Sequence, residues 1–183
     1  MRTGAYPGSF DPPTVAHVAI ADAARVRHGL DRVDLVVSIS AIDKEHVVVP
    51  SLDDRVAVLE ALARRLGWMG VVVSDRRLIV DLAEGYDLVV MGADKWAQVN
   101  DATYYGSVAA RDEAVARLPP AAVVPRPPYP VPVELRLPLG EADIGGISST
   151  RARSGERHLM VPEAAELDER TGAWTDPERY RSR

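Results

Sequence analysis

The sequence predicts an α/β fold: a parallel sheet with helices on both faces. Three observations lead there. Short apolar runs alternate with longer stretches of helical period, the signature of βαβ units. The first run passes through Gly8-Ser9-Phe10-Asp11-Pro12-Pro13 directly into a helical pattern, the strand–turn–helix order of phosphate-binding α/β proteins. Finally, 183 residues, 46% of them hydrophobic, are enough for one domain of roughly 150 residues or one domain plus a tail.

Strands are expected at residues 2–6, 33–39, 69–74, 86–91 and 121–124. The first helix should start at Pro13 or Thr14 and stop at Gly29, with Val15, Val18, Ala19, Asp22 and Val26 marking its period. A second starts at Ser51, where Asp53 and Asp54 favour the positive end of the helix dipole. Val56, Leu59, Leu62, Ala63 and Leu66 then form an apolar stripe before Gly67. Residues 119–138 hold eight of the fourteen prolines, so they read as a connector with edge strands and not as a helix. A Ser/Thr-capped helix start follows at residues 147–155. No repeat or second domain is visible: residues 1–170 read as one domain, with 171–183 as a poorly ordered tail.

Composition excludes several functions. Without cysteine there is no disulfide scaffold, cysteine zinc site, iron–sulfur cluster or thiol chemistry. Lys plus Arg number 22 against 27 Asp plus Glu, and a net charge of -5 does not suit a nucleic-acid partner. The apolar runs fall far short of the ~20 residues that span a bilayer, and residues 1–3 lead into no signal-peptide core. A soluble cytoplasmic protein without membrane or nucleic-acid partners is expected, with a homo-oligomer left open. No residues have metal-ligand spacing: His28, His46 and His158 stand apart from any carboxylate-rich cluster.

Chemistry concentrates in two places. In the first, Gly8 and Ser9 let backbone N–H groups approach a ligand, prolines stiffen the turn, and the helix start offers unpaired N–H groups. Thr14 and His17, three residues apart, face the same way and could share one phosphate. The plain alternative is a strand-to-helix turn with Thr14 as a cap and His17 as a core histidine. In the second, Ile147-Ser148-Ser149-Thr150-Arg151-Ala152-Arg153 sets three hydroxyls and two guanidiniums at a helix start, suited to phosphates or to simple capping. At the end of the fourth strand, Gly92 permits close approach and Asp94 supplies a carboxylate for ribose hydroxyls. Trp96 beyond it could stack on a ring or pack in the core. Arg126 could touch substrate or anchor the proline-rich segment, and Arg76 or Arg77 could help a substrate phosphate. Asp11 is better suited to bracing the turn than to acting as a base. Both lysines, Lys44 and Lys95, fall where a site could be.

Gly8-Ser9-Phe10-Asp11-Pro12, Thr14-Val15-Ala16-His17 and residues 147–153 together resemble the HIGH-motif nucleotidyltransferases. That superfamily of adenylyltransferases and cytidylyltransferases has a Rossmann-like sheet. Its pattern is Gly-Ser/Thr-Phe-Asp-Pro, then His/Thr-x-Gly-His, then a late Ile-Ser-Ser-Thr-x-x-Arg. The likeness covers roughly residues 2–165. Gly92-Ala93-Asp94, Val124-Pro125-Arg126-Pro127 and Lys44 look most like nicotinate mononucleotide adenylyltransferases, whereas Thr14 is what phosphopantetheine adenylyltransferases use. Two departures stand out. Ala16 replaces the motif glycine, and residues 75–83 lack the nicotinate family's Tyr-Thr-x-x-Thr-Leu pattern.

The resemblance implies an enzyme that transfers AMP from ATP to a phosphate monoester, releasing pyrophosphate. Nicotinate mononucleotide is the acceptor it favours, in NAD synthesis; phosphopantetheine and a sugar or polyol phosphate, with ATP or CTP, are the alternatives. Gly8, Ser9, Phe10 and Ile147 would border the nucleotide. His17, Thr14 and Arg153 would be catalytic, with Ser148, Ser149 and Thr150 on the pyrophosphate. Gly92 and Asp94 would take the ribose, and Lys44, Trp96 and Arg126 the acceptor. Mg²⁺ would travel on the nucleotide phosphates. A reading of another class, a nucleotide-binding sensor without catalysis, draws on Ala16 and the missing central motif.

Overall fold

Parallel strands covered on both faces must be apolar on both. The computed structural model, which describes residues 1–39, 49–140 and 144–182, builds its sheet from such runs. Strands β1 (Thr3–Pro7), β2 (Arg32–Ser38), β3 (Met69–Ser74), β4 (Leu88–Gly92) and β5 (Ala121–Val124) are all parallel, in the order β3-β2-β1-β4-β5. Each lies within two residues of its expected place.

Helix α1 (Val15–His28) begins after Thr14 as N-cap and stops at Gly29, whose φ of 59° a side chain would strain. Helix α2 (Leu52–Leu66) is capped by Ser51, whose Oγ accepts from the Asp54 N–H at 3.1 Å. With α6 (Ser149–Arg153) and α7 (Pro162–Thr171) they cover one sheet face, where Val33, Leu35 and Val37 meet Ile20, Leu59, Leu62 and Leu167. Helices α3 (Ile79–Leu82), α4 (Ala93–Val99) and α5 (Val108–Ala116) cover the other, where Val36, Val89 and Met91 meet Val80, Val99 and Ala114. The proline-rich connector runs beside β5, with Leu137 N–H bonded to Val123 O at 2.9 Å.

The chain leaves β1 toward β2 and β3, then crosses back to β4 on the other side. A crevice therefore opens beyond the ends of β1 and β4, where sheets of this order bind ligands. No helix of the described residues is long and apolar enough to cross a membrane.

The loose tail expected from residue 171 is not what the structure has. Its charged sequence hides a buried hub, Asp168, which is fully enclosed. The Asp168 carboxylate accepts from Trp174 N–H (2.7 Å), Thr175 N–H (2.8 Å), the Thr175 hydroxyl (2.7 Å) and Arg157 Nε (2.5 Å). The chain thereby folds back, burying Trp174, and the indole Nε1 donates to Asp11 Oδ1 at 2.8 Å. Farther on, α8 (Pro177–Arg181) brings the Tyr180 hydroxyl to Asp54 Oδ2 at 2.5 Å.

Burial opposes ionisation of Asp168, but the bonds from Arg157, Thr175 and the two backbone amides outweigh it and hold its pKa below the usual carboxylate value. Such a group contributes its full stability above the unfolded-state pKa of about 3.9 and loses it as pH falls toward the folded value. Asp168→Asn should therefore cost about 2 kcal/mol or more at neutral pH. In urea midpoints measured at successively lower pH, the gap to wild type should narrow below about pH 4; a constant gap contradicts the assignment. Trp174→Phe, which removes the donor to Asp11 together with the five-membered part of the buried indole, should cost about 1–3 kcal/mol or more in the same measurement.

Candidate active site

After β1 one more backbone bond, Gly8 N–H to Val36 O at 3.0 Å, keeps the chain on the sheet before it turns away. Phe10 then takes a φ of 44°, a left-handed conformation that an aromatic residue adopts only under tertiary constraint. Its ring folds back under the turn, edge-on to Tyr6 at 5.6 Å. A Cβ on Gly8 would lie 2.9 Å from Phe10 Cζ, so glycine is required there. At 1% exposure the Phe10 side chain is core, which corrects its expected place on the nucleotide: only its backbone can reach a ligand.

Thr14 and His17 do not stand side by side toward a shared phosphate. Thr14 is 1% exposed, and both its backbone N–H and its hydroxyl lie 2.9 Å from His17 Nδ1. Because Nδ1 accepts the backbone N–H, the ring proton of the neutral imidazole sits on Nε2, which is therefore a donor. The ring rests edge-on against Phe10 at 5.2 Å. Thr14 thus orients the His17 ring. Ala16 is buried, so its methyl is covered by protein atoms.

The late motif is sewn to this turn. Ser149 Oγ donates to Pro12 O at 2.8 Å, and Arg153 Nη1 donates to Asp11 O and lies 3.5 Å from Asp11 Oδ2. Val161 N–H bonds Pro13 O at 3.1 Å, and Thr14 forms an isolated bridge with Met160. Not every expected phosphate ligand keeps that role. The Ser149 proton is spent on Pro12. Ser148 Oγ accepts from Arg151 N–H at 3.2 Å, and Thr150 Oγ1 from Arg153 Nη2 at 3.3 Å; both hydroxyls retain a proton to donate. Ile147 is half-buried and packs on the α1–α2 face, and Arg151 pairs with Glu156. Asp11 is a brace, as its sequence position suggests.

Across the crevice, Asp94 curls back over Gly92: a Cβ there would lie 2.5 Å from Asp94 Oδ1. Arg126 Nη1 stands 3.7 Å from the same oxygen. Burial pushes the Tyr6 phenol pKa up, with Arg126 lowering and Asp94 raising it, so all three groups share one field. Trp96 does not join them; half-buried, it packs with the core around Met91 and Val99.

A cleft opens beside the turn, from Gly8 and Ser9 past Ser38 at the end of β2. Leu78, Ile79, Val99, Tyr104 and Tyr105 give it an apolar wall, with Arg77 and Lys95 as cations. Lys95 Nζ also donates to Gln98 Oε1 at 2.7 Å. Of the two neighbouring arginines only Arg77 lines the cleft, while Arg76 is tied to Glu84 and to Asp81 O. Sequence reasoning missed the tyrosines and Gln98, whose only signal is their place just after a strand-end Gly-x-Asp. Lys44 and His46 lie outside the described residues. Among the described residues, no three His, Cys, Asp or Glu side chains group to hold a metal.

Two curated relatives are similar over part of their length. A phosphopantetheine adenylyltransferase of Ruegeria sp. is 35% identical over 98 residues, 50% of this chain and 56% of that protein. A probable nicotinate-nucleotide adenylyltransferase of Chlorobaculum tepidum is 41% identical over 71 residues, 39% of this chain and 35% of that protein. The chain thus matches about half or less of the length of these relatives. Its fold matches that of the Plasmodium falciparum nicotinic acid mononucleotide adenylyltransferase complexed with APC. The TM-score is 0.64 at 14% identity, over 92% of this chain and 94% of that one. The cytidylyltransferase-like family model matches residues 5–155, both motifs included, and the chain belongs to that family.

Proposed function

We propose that this protein is an adenylyltransferase that joins the AMP moiety of ATP to a phosphate monoester and releases pyrophosphate. The observation that carries the reading is His17 at the start of α1, its Nδ1 fixed by Thr14 and its Nε2 a donor, on a turn sewn to the late Ser-Ser-Thr motif. The acceptor phosphate is ionised at neutral pH and needs no general base. It attacks the α-phosphorus in line with the leaving pyrophosphate, so catalysis consists of positioning and charge stabilisation. His17 Nε2 donates to an α-phosphate oxygen as charge grows there. The Ser148 and Thr150 hydroxyls and the outer N–H groups of Arg153 take the departing phosphates.

Gly92 and Asp94 receive the adenosine ribose. Mg²⁺ would be carried by the triphosphate, whose charge it would shield; Asp11 and Asp94 are each faced by an arginine.

The acceptor occupies the cleft between the turn and α4. Nicotinate mononucleotide is our first assignment, supported by the Gly-x-Asp and Arg-Pro segments and by the relative of that name. The apolar wall of Leu78, Ile79, Val99 and the two tyrosines favours a second acceptor, phosphopantetheine, as do Thr14 and the other named relative. A third class, a sugar or polyol phosphate, would leave that wall unused.

Pyrophosphate release with Mg²⁺, crossing ATP and CTP against nicotinate mononucleotide, nicotinamide mononucleotide, phosphopantetheine and sugar phosphates, is the deciding test. Turnover of ATP with nicotinate mononucleotide is the expected result. Turnover only with phosphopantetheine moves the chain to the second acceptor, and nucleotide binding without turnover on any acceptor supports the sensor reading. On the productive pair, His17→Ala should lower kcat about a hundredfold, the size of one lost oxyanion-type donor, while the lost bond to Thr14 N–H lowers the unfolding temperature only modestly and the protein still unfolds cooperatively. Unchanged turnover would remove His17 from the chemistry.

A further inference from the structure

Arg55 sits in the buried stripe of α2, one helical turn before Val58 and Leu59 and two before Leu62, where an apolar residue would serve the core. It is 7% exposed. Its Nη1 donates to Ser9 O at 3.2 Å, and its Nε, also buried, has no hydrogen-bond partner among the described residues. A buried cation is costly unless it is paired and fully bonded. The carboxylate acting on it is Asp11, which Arg153 and Trp174 already engage. Behind the turn the described residues thus supply two guanidiniums for one carboxylate, in a chain whose net charge is -5. Helix α2 does not need Arg55 to form, because Ser51, Asp53 and Asp54 supply its cap and dipole charges.

The bond to Ser9 O has a directional consequence. In a trans peptide the C=O and N–H point opposite ways, so tying the Ser9 carbonyl toward α2 turns the Phe10 N–H to the other side of the turn. We propose that Arg55 is a positioning residue for polyphosphate: it aims the turn's backbone donors and lays beneath them a positive charge that Asp11, shared with Arg153, does not balance and a bound anion would. The proposal rests on the reading of residues 8–14 as the phosphate-binding turn. Burial lowers the Arg55 pKa while Asp11 raises it, which agrees with a cation short of partners before the anion arrives.

The test compares wild type with Arg55→Met, Arg55→Lys and Arg64→Met, the last a charge control on an exposed position of the same helix. Binding of inorganic pyrophosphate, ATP and uncharged adenosine is measured by calorimetry, and thermal unfolding is recorded without ligand. Arg55→Met should weaken pyrophosphate and ATP about tenfold, the scale of one charge interaction in a partly desolvated site. Adenosine affinity should be unchanged and the unliganded protein no less stable. Arg55→Lys, which keeps the charge but not the fork, should fall between, and Arg64→Met should match wild type. The lysine variant carries the same test if the methionine variant does not fold, since its ratio of pyrophosphate to adenosine affinity must still drop. Equal loss for adenosine and pyrophosphate, or wild-type pyrophosphate affinity in both Arg55 variants, overturns the proposal. If wild type binds neither pyrophosphate nor ATP, the phosphate-turn reading fails, and this inference with it.

Discussion

The Asp11 carboxylate holds the two ends of the chain together. One oxygen takes the Trp174 indole N–H and the other faces Arg153, which also bonds the Asp11 carbonyl. Around it, Pro12 O is held by Ser149 and Pro13 O by Val161. Every one of these partners lies more than a hundred residues away in sequence. The turn is therefore a tertiary structure with little local reason to exist, and its positive-φ Phe10 persists because the surroundings over-determine it. His17 depends on the same constraint. Thr14 is the last residue of that braced segment, and its N–H sets the imidazole, so a displacement at Trp174 reaches the His17 ring through Asp11 and the residues covalently linked to it.

This dependence explains what the sequence revealed and what it hid. Helix limits were legible because they are written locally: Thr14 and Ser51 as caps, Gly29 and Gly67 in left-handed stops. The strands were legible as apolar runs, and the two motifs by their order along the chain. The division of labour inside them was not. Ser149 and Ser148 look interchangeable in sequence, yet one has its proton fixed on Pro12 and the other caps a helix. Arg76 and Arg77 differ by one residue, and only packing decides which one reaches the cleft. Trp174 and Asp168 left no signal at all, because a buried polar residue is recognised by its partners, and these partners are remote.

The departures from the family pattern are spread unevenly over the site. The half made of the turn, α1 and α6 retains its motif residues except at Ala16. The segment that lacks the central motif supplies Arg77, Leu78 and Ile79 to the cleft wall, opposite Val99, Tyr104 and Tyr105. Under the proposed reaction the reacting phosphates are common to all acceptors, so that half can stay fixed while the wall varies with the molecule whose phosphate it would present. Substitution at Ala16 falls outside this division: its methyl is buried in protein, so it removes no donor from the phosphate side.

Electrostatics completes the argument. A protein of net charge -5 repels a polyanion at long range, and association must be driven by a local field of opposite sign. Arg55 and Arg153 provide it behind the turn, and both are held by backbone carbonyls, Ser9 O and Asp11 O, as well as by Asp11's charge. Carbonyl partners satisfy hydrogen bonds without neutralising the cation, so the positive potential survives for a ligand. A second carboxylate in place of either carbonyl would have made the unliganded turn more comfortable and the site electrically neutral. Among the described residues the turn is donor-rich and short of anions, which is the electrostatic condition that the proposed triphosphate would meet.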